Sequence, residues 1–432
     1  MSTVAWLSRL GAFGFASLVA LGGATAELPA IRIGGSGAFA SGERLDVQRR
    51  GRSRSGFPTS PVRSWSLDLH SRLEHPPLVD SSGAISVMLA NGDLVRITPE
   101  GALSWRRRVS CVLSNAPPAL VGDAVVLFLC GDGSLQSVTR DGVALEPIAL
   151  DGLARRVSAA PLVSEDGSVV IALDEELVRV SLTGAVVERV RLVSNQVLVG
   201  GLMPFEGGVL ATDARGDVWH WRAPSVPYKL GSFGSSAPAG AVVLGTRALA
   251  AVVASGKQVV VLDPLTQRLS TLLVGDLVAG ERFDAPPVLA PNGEVLVTTN
   301  LGEVLAISSK GEVNRRLALW TTTGALPTAA TARAASPRKC GEPGCDTAIA
   351  EVFRSNPSAP PTHSQAAVLV VDPHGNAAAF GSRGLLAIVP AKGERSPVRE
   401  HACARPIAVL PAGPQRLLTA CGDGRLASWS EP

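Results

Sequence analysis

The chain has 432 residues, 46% of them hydrophobic and 18% charged, enough apolar mass to bury a large core. Its formal net charge is +3, which excludes the strong basic bias of a nucleic-acid binder. No segment after the first residues is apolar for long enough to span a bilayer, because glycines and charges interrupt every run.

Residues 1–26 read as a secretory signal. Arg9 supplies a positive start, Leu10 to Leu21 is an uncharged apolar run, and Ala24-Thr25-Ala26 has the small-x-small pattern of a cleavage site. The mature chain is then expected to begin near Glu27, in the periplasm or outside the cell; the alternative is an uncleaved anchor. Cysteine is absent before Cys111, so no thiol is available there for lipid attachment. Residues 27–61 follow as a basic Ser/Arg-rich linker, with Arg44, Arg49, Arg50, Arg52 and Arg54 among Ser and Gly. Such a stretch is expected to be solvated and disordered. Its other reading is a basic arm laid on an anionic surface.

From residue 62 onward the sequence repeats a phrase. Its clearest copy runs Ala285-Pro286-Pro287-Val288-Leu289, then Asn292-Gly293, then Glu294-Val295-Leu296-Val297-Thr298. After Asn300-Leu301-Gly302 comes Glu303-Val304-Leu305-Ala306-Ile307, then Lys310-Gly311 and a last run to Leu319-Trp320. Short runs of Val, Leu, Ile and Thr bounded by Gly, Asn or Asp are strand-and-hairpin chemistry. The positions matching Pro287 are Pro77, Pro118, Pro161, Gly201, Pro238, Ala367 and Pro406, about 40 residues apart except for one doubled step before Ala367. Eight anchors predict an all-β, eight-bladed β-propeller of four-stranded antiparallel blades, with strands A to D from the centre outward. An open β-solenoid or two unrelated β domains are the alternatives.

The eighth copy has strands A (Ile407–Leu410), B (Arg416–Ala420) and C (Arg425–Trp429) and no strand D. Arg63-Ser64-Trp65-Ser66-Leu67-Asp68-Leu69 resembles the strand D candidate of the first copy, Leu103-Ser104-Trp105-Arg106-Arg107-Arg108-Val109. Val62 to Leu69 is therefore predicted to complete the last blade and close the ring, which removes two open sheet edges.

The cysteines follow the same register. Cys111 and Cys403 precede strand A of copies two and eight, and Cys130 and Cys421 end strand B of the same copies. The entry to A and the exit of B lie at one rim of a blade, so disulfides Cys111–Cys130 and Cys403–Cys421 are predicted. Cys340 and Cys345 would pair within a tight Gly/Pro loop. Zinc is the other use of such thiols, but no His or Cys stands nearby at zinc spacing. The loop lies in an Ala/Pro/Ser/Thr-rich insertion, residues 324–364 between blades 6 and 7, where Asp346 to Arg354 has the pattern of a short helix. By the propeller connectivity it leaves from the rim of the B–C turns. It is either a partner-contacting excursion or a tolerated elaboration.

Chemistry-bearing motifs are sparse. The six histidines (His70, His75, His220, His363, His374, His401) have no metal-ligand spacing, and no GxSxG elbow occurs. Cys130-Gly131-Asp132-Gly133 and Cys421-Gly422-Asp423-Gly424 lack the GK[ST] ending of a phosphate loop and the alternating carboxylates of a calcium loop. They read as hairpin turns. Acidic residues recur near the B–C turns in six copies: Asp93, Asp132, Glu175, Asp217, Glu303 and Asp423. They are a candidate partner-contact rim, or plain turn formers. Trp65, Trp105, Trp219, Trp221, Trp320 and Trp429 fall on strands C or D and are expected to pack between blades.

The phrase of the Pro287 copy resembles the repeat of pyrroloquinoline-quinone-like (quinoprotein-like) propellers over residues 62 to 432, the insertion apart. That resemblance implies an eight-bladed ring and offers two kinds of function. One is the quinone-dependent dehydrogenases, which carry a vicinal cysteine pair or a basic and acidic constellation around quinone and calcium. The other is non-catalytic propellers, including the scaffold lipoprotein of the outer-membrane β-barrel assembly machinery. This sequence has no adjacent cysteines, and its strand D candidates show no Trp docking motif repeated through the copies. The expectation is an exported, monomeric, non-enzymatic propeller without cofactor or metal, a scaffold for envelope or secreted proteins. A quinone- or metal-dependent oxidoreductase is the alternative.

Overall fold

The computed structural model describes residues 52–319 and 367–432. Excepted are 74, 110, 112–113, 115, 151–158, 165–167, 182–184, 194–195, 235–240, 245–247, 254–255, 257, 273–276, 278–280, 284, 382–383, 393–397, 402 and 404. Residues 1–26, expected to be a signal segment, residues 27–51, Trp320, and the insertion with Cys340, Cys345, His363 and its expected short helix lie outside the described residues. Among the described residues there is no α-helix, and none long and apolar enough to cross a membrane.

Among the described residues thirty-two strands form eight four-stranded antiparallel sheets, an eight-bladed propeller as the repeat predicts. In order A to D, blade 1 is Leu78–Val79, Ile85–Met88, Asp93–Ile97 and Leu103–Arg108. Blade 2 is Ala119–Val121, Val125–Leu129, Ser134–Thr139 and Ile148–Ala149. Blade 3 is Leu162–Val163, Val169–Leu173, Glu176–Val180 and Val186–Arg191. Blade 4 is Leu198–Phe205, Gly208–Asp213, Asp217–Trp221 and Tyr228–Ser232. Blade 5 is Ala241–Leu244, Ala248–Val253, Gln258–Asp263 and Arg268–Leu272. Blade 6 is Val288–Leu289, Val295–Thr298, Glu303–Ile307 and Val313–Ala318. Blade 7 is Ala367–Val371, Ala377–Gly381, Leu385–Val389 and Arg399–Glu400. Blade 8 is Pro406–Gly413, Arg416–Cys421, Arg425–Ser430 and, from the other end of the chain, Val62–Asp68.

The closing strand pairs antiparallel with strand C of blade 8, from Val62 opposite Ser430 to Asp68 opposite Arg425. Neighbouring blades touch through their A strands, which sets these innermost. Strands B and C are buried along most of their length. Strand D alternates exposed and half-buried positions, as a sheet with one wet face does.

The core is divided among the seams between blades. Leu127, Leu129, Ile171 and Val178 join blades 2 and 3; Val260, Leu262, Leu210 and Phe233 join blades 4 and 5. A larger cluster runs through blades 7, 8 and 1, from Phe380 and Ile388 through Leu418 and Trp429 to Val87 and Val95. Each fully buried Leu, Ile or Phe there contributes about 1.5–3 kcal/mol relative to exposure. Closure therefore rests on packing as well as on the ladder of the last blade.

Cys111 and Cys130 are paired with Cα atoms 5.8 Å apart, and Cys403 and Cys421 with Cα atoms 5.6 Å apart. Cys130 and Cys421 each accept the turn hydrogen bond that starts the B–C hairpin, from Gly133 and Gly424 at 3.0 Å. Each of these two pairs thus meets at one rim, where strand A is entered and strand B ends.

Residues 52–61 depart from the expectation of a solvated linker. Arg52 forms a parallel bridge with Val371, and the Ser53 N–H donates to the Val371 carbonyl at 2.6 Å. Phe57 is buried in the closing cluster, and its N–H donates to Asp372 Oδ2 at 3.1 Å. Thr59 donates to Glu431 Oε1 through its N–H at 2.6 Å and its hydroxyl at 2.7 Å. One buried aromatic ring and a receptive turn carboxylate are enough to dock a segment that composition marks as polar.

Candidate functional site: an ion-paired rim

Each of the six acidic residues stands at or beside the B–C turn of a different blade, so the connectivity places all six on one rim. In five of them the carboxylate meets a cation of its own blade. Asp93 lies 3.1 Å from Arg108 Nε and 3.4 Å from Arg106 Nε, and the Asn91 side-chain amide donates to it at 3.0 Å. Glu175 pairs with Arg191 at 2.5 Å, and Asp217 with Lys229 at 2.8 Å. Glu303 pairs with Arg316 at 3.1 Å, and Asp423 with Arg425 at 3.8 Å. Asp132 instead accepts the Ser134 N–H at 2.8 Å and the Ser134 hydroxyl at 2.7 Å.

The basis is strand register. In blade 1 strand C begins with the acid and strand D ends with its cation, so Asp93 opposes Arg108 directly. In blades 4 and 6 Lys229 and Arg316 stand before the end of strand D and reach Asp217 and Glu303 diagonally. These cations were not singled out by the sequence reading. In blades 1, 3, 4 and 6 their signal is the basic residues of the strand D runs, Arg106-Arg107-Arg108, Arg191, Lys229 and Arg315-Arg316, 12 to 16 residues after the acid. Opposite charges facing across an antiparallel pair add a few tenths to about 1 kcal/mol each.

Three members titrate away from the ordinary carboxylate range, one upward and two downward. Burial pushes the Glu303 carboxyl up; Arg316 opposes this, and the neighbouring Glu281 carboxylate reinforces it. Glu281 is fully buried, and Arg316 Nη2 donates to both its oxygens at 3.1 and 3.2 Å. One guanidinium thus serves two carboxylates. At Asp217 burial opposes ionisation, but hydrogen bonds from Lys229 and Ser232 together hold the carboxyl below its usual value. The Asp132 carboxyl is also low, held by the Ser134 backbone N–H and then its hydroxyl.

Among the described residues no group of three or more His, Cys, Asp and Glu is placed to hold a metal ion. His220 and His401 are buried in blade seams, and His70 is exposed beside Asp68. Beneath the surface, Arg96 forms a buried ion pair with Asp80 and donates to Ser86 Oγ at 3.2 Å. Arg179, 2% exposed, donates to Ser168 Oγ at 2.8 Å in the matching place of blade 3.

The tryptophans divide into two roles. Trp219, Trp221 and Trp429 are buried in seams on strand C. Trp65 and Trp105, on strand D, dock each blade on the next: Trp65 Nε1 donates to the Pro99 carbonyl at 2.9 Å, and Trp105 Nε1 to the Arg140 carbonyl at 2.8 Å. Both carbonyls sit in C–D turns. The sequence reading found no Trp docking motif repeated through the copies. The structure shows two consecutive instances, concealed because the other strand D runs carry different residues at that place.

No family model matches this chain, and no curated protein matches it in sequence. Solved structures are similar in fold. BamB from Moraxella catarrhalis superposes with a TM-score of 0.56 at 15% identity, over 86% of this chain and 97% of that one. The computationally designed protein Ika8 gives 0.58 at 15% identity, over 87% of this chain and 100% of that one. A virginiamycin B lyase from Staphylococcus aureus gives 0.47 at 8% identity, over 72% and 93%. At these identities the likeness to BamB and Ika8 is one of architecture, an independent match to the ring that the repeat predicts.

Proposed function

We propose that this chain is a non-enzymatic member of the quinoprotein-like propellers, exported to the periplasm or beyond, and that it serves as a protein-binding scaffold in the cell envelope. The reading is carried by the rim: Asp93, Asp132, Glu175, Asp217, Glu303 and Asp423 are each held on a rigid turn by a partner within the same blade. Carboxylates fixed this way, with the more exposed cations that cover them, form a patterned surface of both charge signs for another protein. The two cysteine pairs support an oxidising compartment. The fold shared with BamB is compatible with this role and does not by itself assign it.

The test uses the chain without residues 1–26, immobilised and exposed to envelope extract, with retained proteins identified by mass spectrometry. Asp132→Lys/Asp423→Lys alters two outlying rim positions and is expected to lose those proteins, whereas a variant lacking 324–364 reports on the insertion. Unchanged retention by the rim variant overturns the rim assignment. Dye reduction that depends on added quinone and Ca²⁺ overturns the non-enzymatic reading.

A further inference from the structure

We propose that the seam between blades 6 and 7 is a binding site for a small amphiphilic anion, an aryl or compact alkyl body carrying a carboxylate. The site lies on the rim of the A–B and C–D turns, opposite the acidic turns, and stands independently of the scaffold reading.

A cavity of about 270 Å³ opens there. It is more than the ~150 Å³ that encloses a benzene ring in an apolar core, and close to the lower bound of small-molecule sites. Its depth is apolar, with Leu296, Val304, Ala306 and Leu317 from blade 6 facing Ala377 and Val389 from blade 7. Its mouth is polar, with Asn292, Glu294 and Arg315 on one side and His374 and Lys392 on the other. An apolar body with a few convergent polar groups is the composition of a ligand site.

The repeat explains why space exists at this seam. In blade 1 the cross-strand row is Ser86, Arg96 and Trp105, with Arg96 reaching Asp80 just past strand A. Those side chains fill the volume, and the Trp105 indole docks on the next blade. In blade 3 the corresponding row also has a buried arginine, Arg179, between Val170 and Glu188. In blade 6 the row is Leu296, Ala306 and Arg315, and the residue in the place of Asp80 is Ala290. Alanines thus replace both members of the buried ion pair. Arg315 takes over the docking role by donating to the Pro390 carbonyl at 2.5 Å and the Ala391 carbonyl at 3.3 Å. The blades remain joined at the turn while the volume beneath is left to the cavity.

The charge of the mouth selects the sign of the ligand. Arg315 and Lys392 bring a guanidinium and an ammonium there, and Glu294 is the one lining carboxylate among the described residues. The Glu294 oxygens already accept amide hydrogens, Oε2 from Asn292 at 2.8 Å and Oε1 from Asn314 at 2.6 Å. Lys392 is exposed on the C–D turn of blade 7, where its ammonium can meet a carboxylate whose apolar body occupies the cavity.

Calorimetric titration with naphthoate, and with naphthylmethanol as its neutral analogue, tests the site on the chain lacking residues 1–26. Naphthoate is expected to bind, and more tightly than the alcohol. Ala306→Leu fills the cavity and should abolish binding while circular dichroism and the melting temperature are retained. Lys392→Ala, on the surface, should weaken naphthoate about five-fold, the equivalent of ~1 kcal/mol, and leave the alcohol unchanged. Absence of naphthoate binding, equal binding of acid and alcohol, or unaltered affinity in folded Ala306→Leu or Lys392→Ala protein would each overturn the proposal.

Discussion

Asp68 and Arg425 face each other across the sheet that closes the ring, in register and 3.7 Å apart, with the polarity of the cross-strand rim pairs of blades 1, 3, 4 and 6 reversed. In blades 1, 3, 4 and 6 the acid precedes or begins strand C and the base lies on strand D. In blade 8 the base begins strand C and the acid is on strand D. The reversal makes Val62–Asp68 specific for its partner. Strand D of blade 1 placed there would set Arg108 against Arg425. Like charges opposite one another destabilise a pair.

Both side chains are about half exposed, so the pair itself is worth less than ~1 kcal/mol. Asp68→Arg is expected to lower the midpoint of urea unfolding by about that amount. The exchange Asp68→Arg/Arg425→Asp should restore most of it, because the attraction is rebuilt with its sign inverted. A double variant no more stable than Asp68→Arg alone would show that the pair contributes no specificity.

Trp65 ties the closing strand to blade 1, and Gly101 is what admits it. Gly101 has φ +88°, and a Cβ there would lie 2.6 Å from Trp65 Cδ2. Gly101→Ala must therefore both strain the turn and displace the indole. It is expected to cost about 2–3 kcal/mol and to shift tryptophan emission. Trp65→Phe keeps the packing but loses the hydrogen bond to the Pro99 carbonyl, at a cost of ~1 kcal/mol. Combining the two changes should cost less than their sum, since both act on one contact.

The ring and its closure were legible because they are written in what repeats. Gly and Asn recur where hairpins need them, proline recurs before strand A, and a surplus strand at one end matches a deficit at the other. The pairing of Cys111 with Cys130 and of Cys403 with Cys421 followed once the register was known. The features left unread belong to single contacts. Phe57 meets Asp372 across more than 300 residues, and no local pattern announces it. The rim acids were visible as a column, but the neutralisation of Asp93, Glu175, Asp217 and Glu303 depends on strand D cations that are recognised only with the pairing in hand. The cavity is less legible still. It arises from Ala290, Ala306 and Ala377, and small residues leave no signal beyond the absence of larger ones.

The disulfides brace blades 2 and 8 at the same rim. Each closes a loop of nearly equal length, with sequence separations of 19 and 18. Chain-entropy arguments assign ~3 kcal/mol to a loop of this size. Cys403→Ser/Cys421→Ser is expected to cost about that much in urea unfolding, and Cys111→Ser/Cys130→Ser a similar amount. Reductant should lower the midpoint of the native chain and leave a variant lacking all six cysteines unchanged. A native chain indifferent to reductant would contradict the bracing role.

The seam beside Cys421 also carries an acid-sensitive group. His401 is buried, its ring stacked near Phe380 with centroids 6.3 Å apart and edge-on to Trp429 at 6.4 Å. Its Nδ1 lies 3.2 Å from Thr419 Oγ1, which accepts the Trp429 indole N–H at 2.9 Å. Burial pushes the His401 pKa down; Arg63 and Arg425 add to the effect, and Asp423 opposes it. The folded chain therefore binds this proton less readily than the unfolded chain, whose histidine titrates near ~6.5. The stabilisation is complete above that value and is lost as pH falls through it toward the folded pKa. His220, buried against the Phe205 carbonyl and the Tyr228 hydroxyl, shifts the same way, with burial again foremost. His401→Asn keeps an acceptor and removes the titration. Between about pH 7.5 and 5.5 its unfolding free energy should fall less steeply than that of the native chain, by at most ~1.4 kcal/mol per pH unit. Parallel pH profiles would show that His401 does not contribute to the acid response. Because His401 lies between blades 7 and 8, hydrogen exchange at low pH should accelerate first in Arg416–Cys421 and Arg425–Ser430, the strands that hold the ring shut.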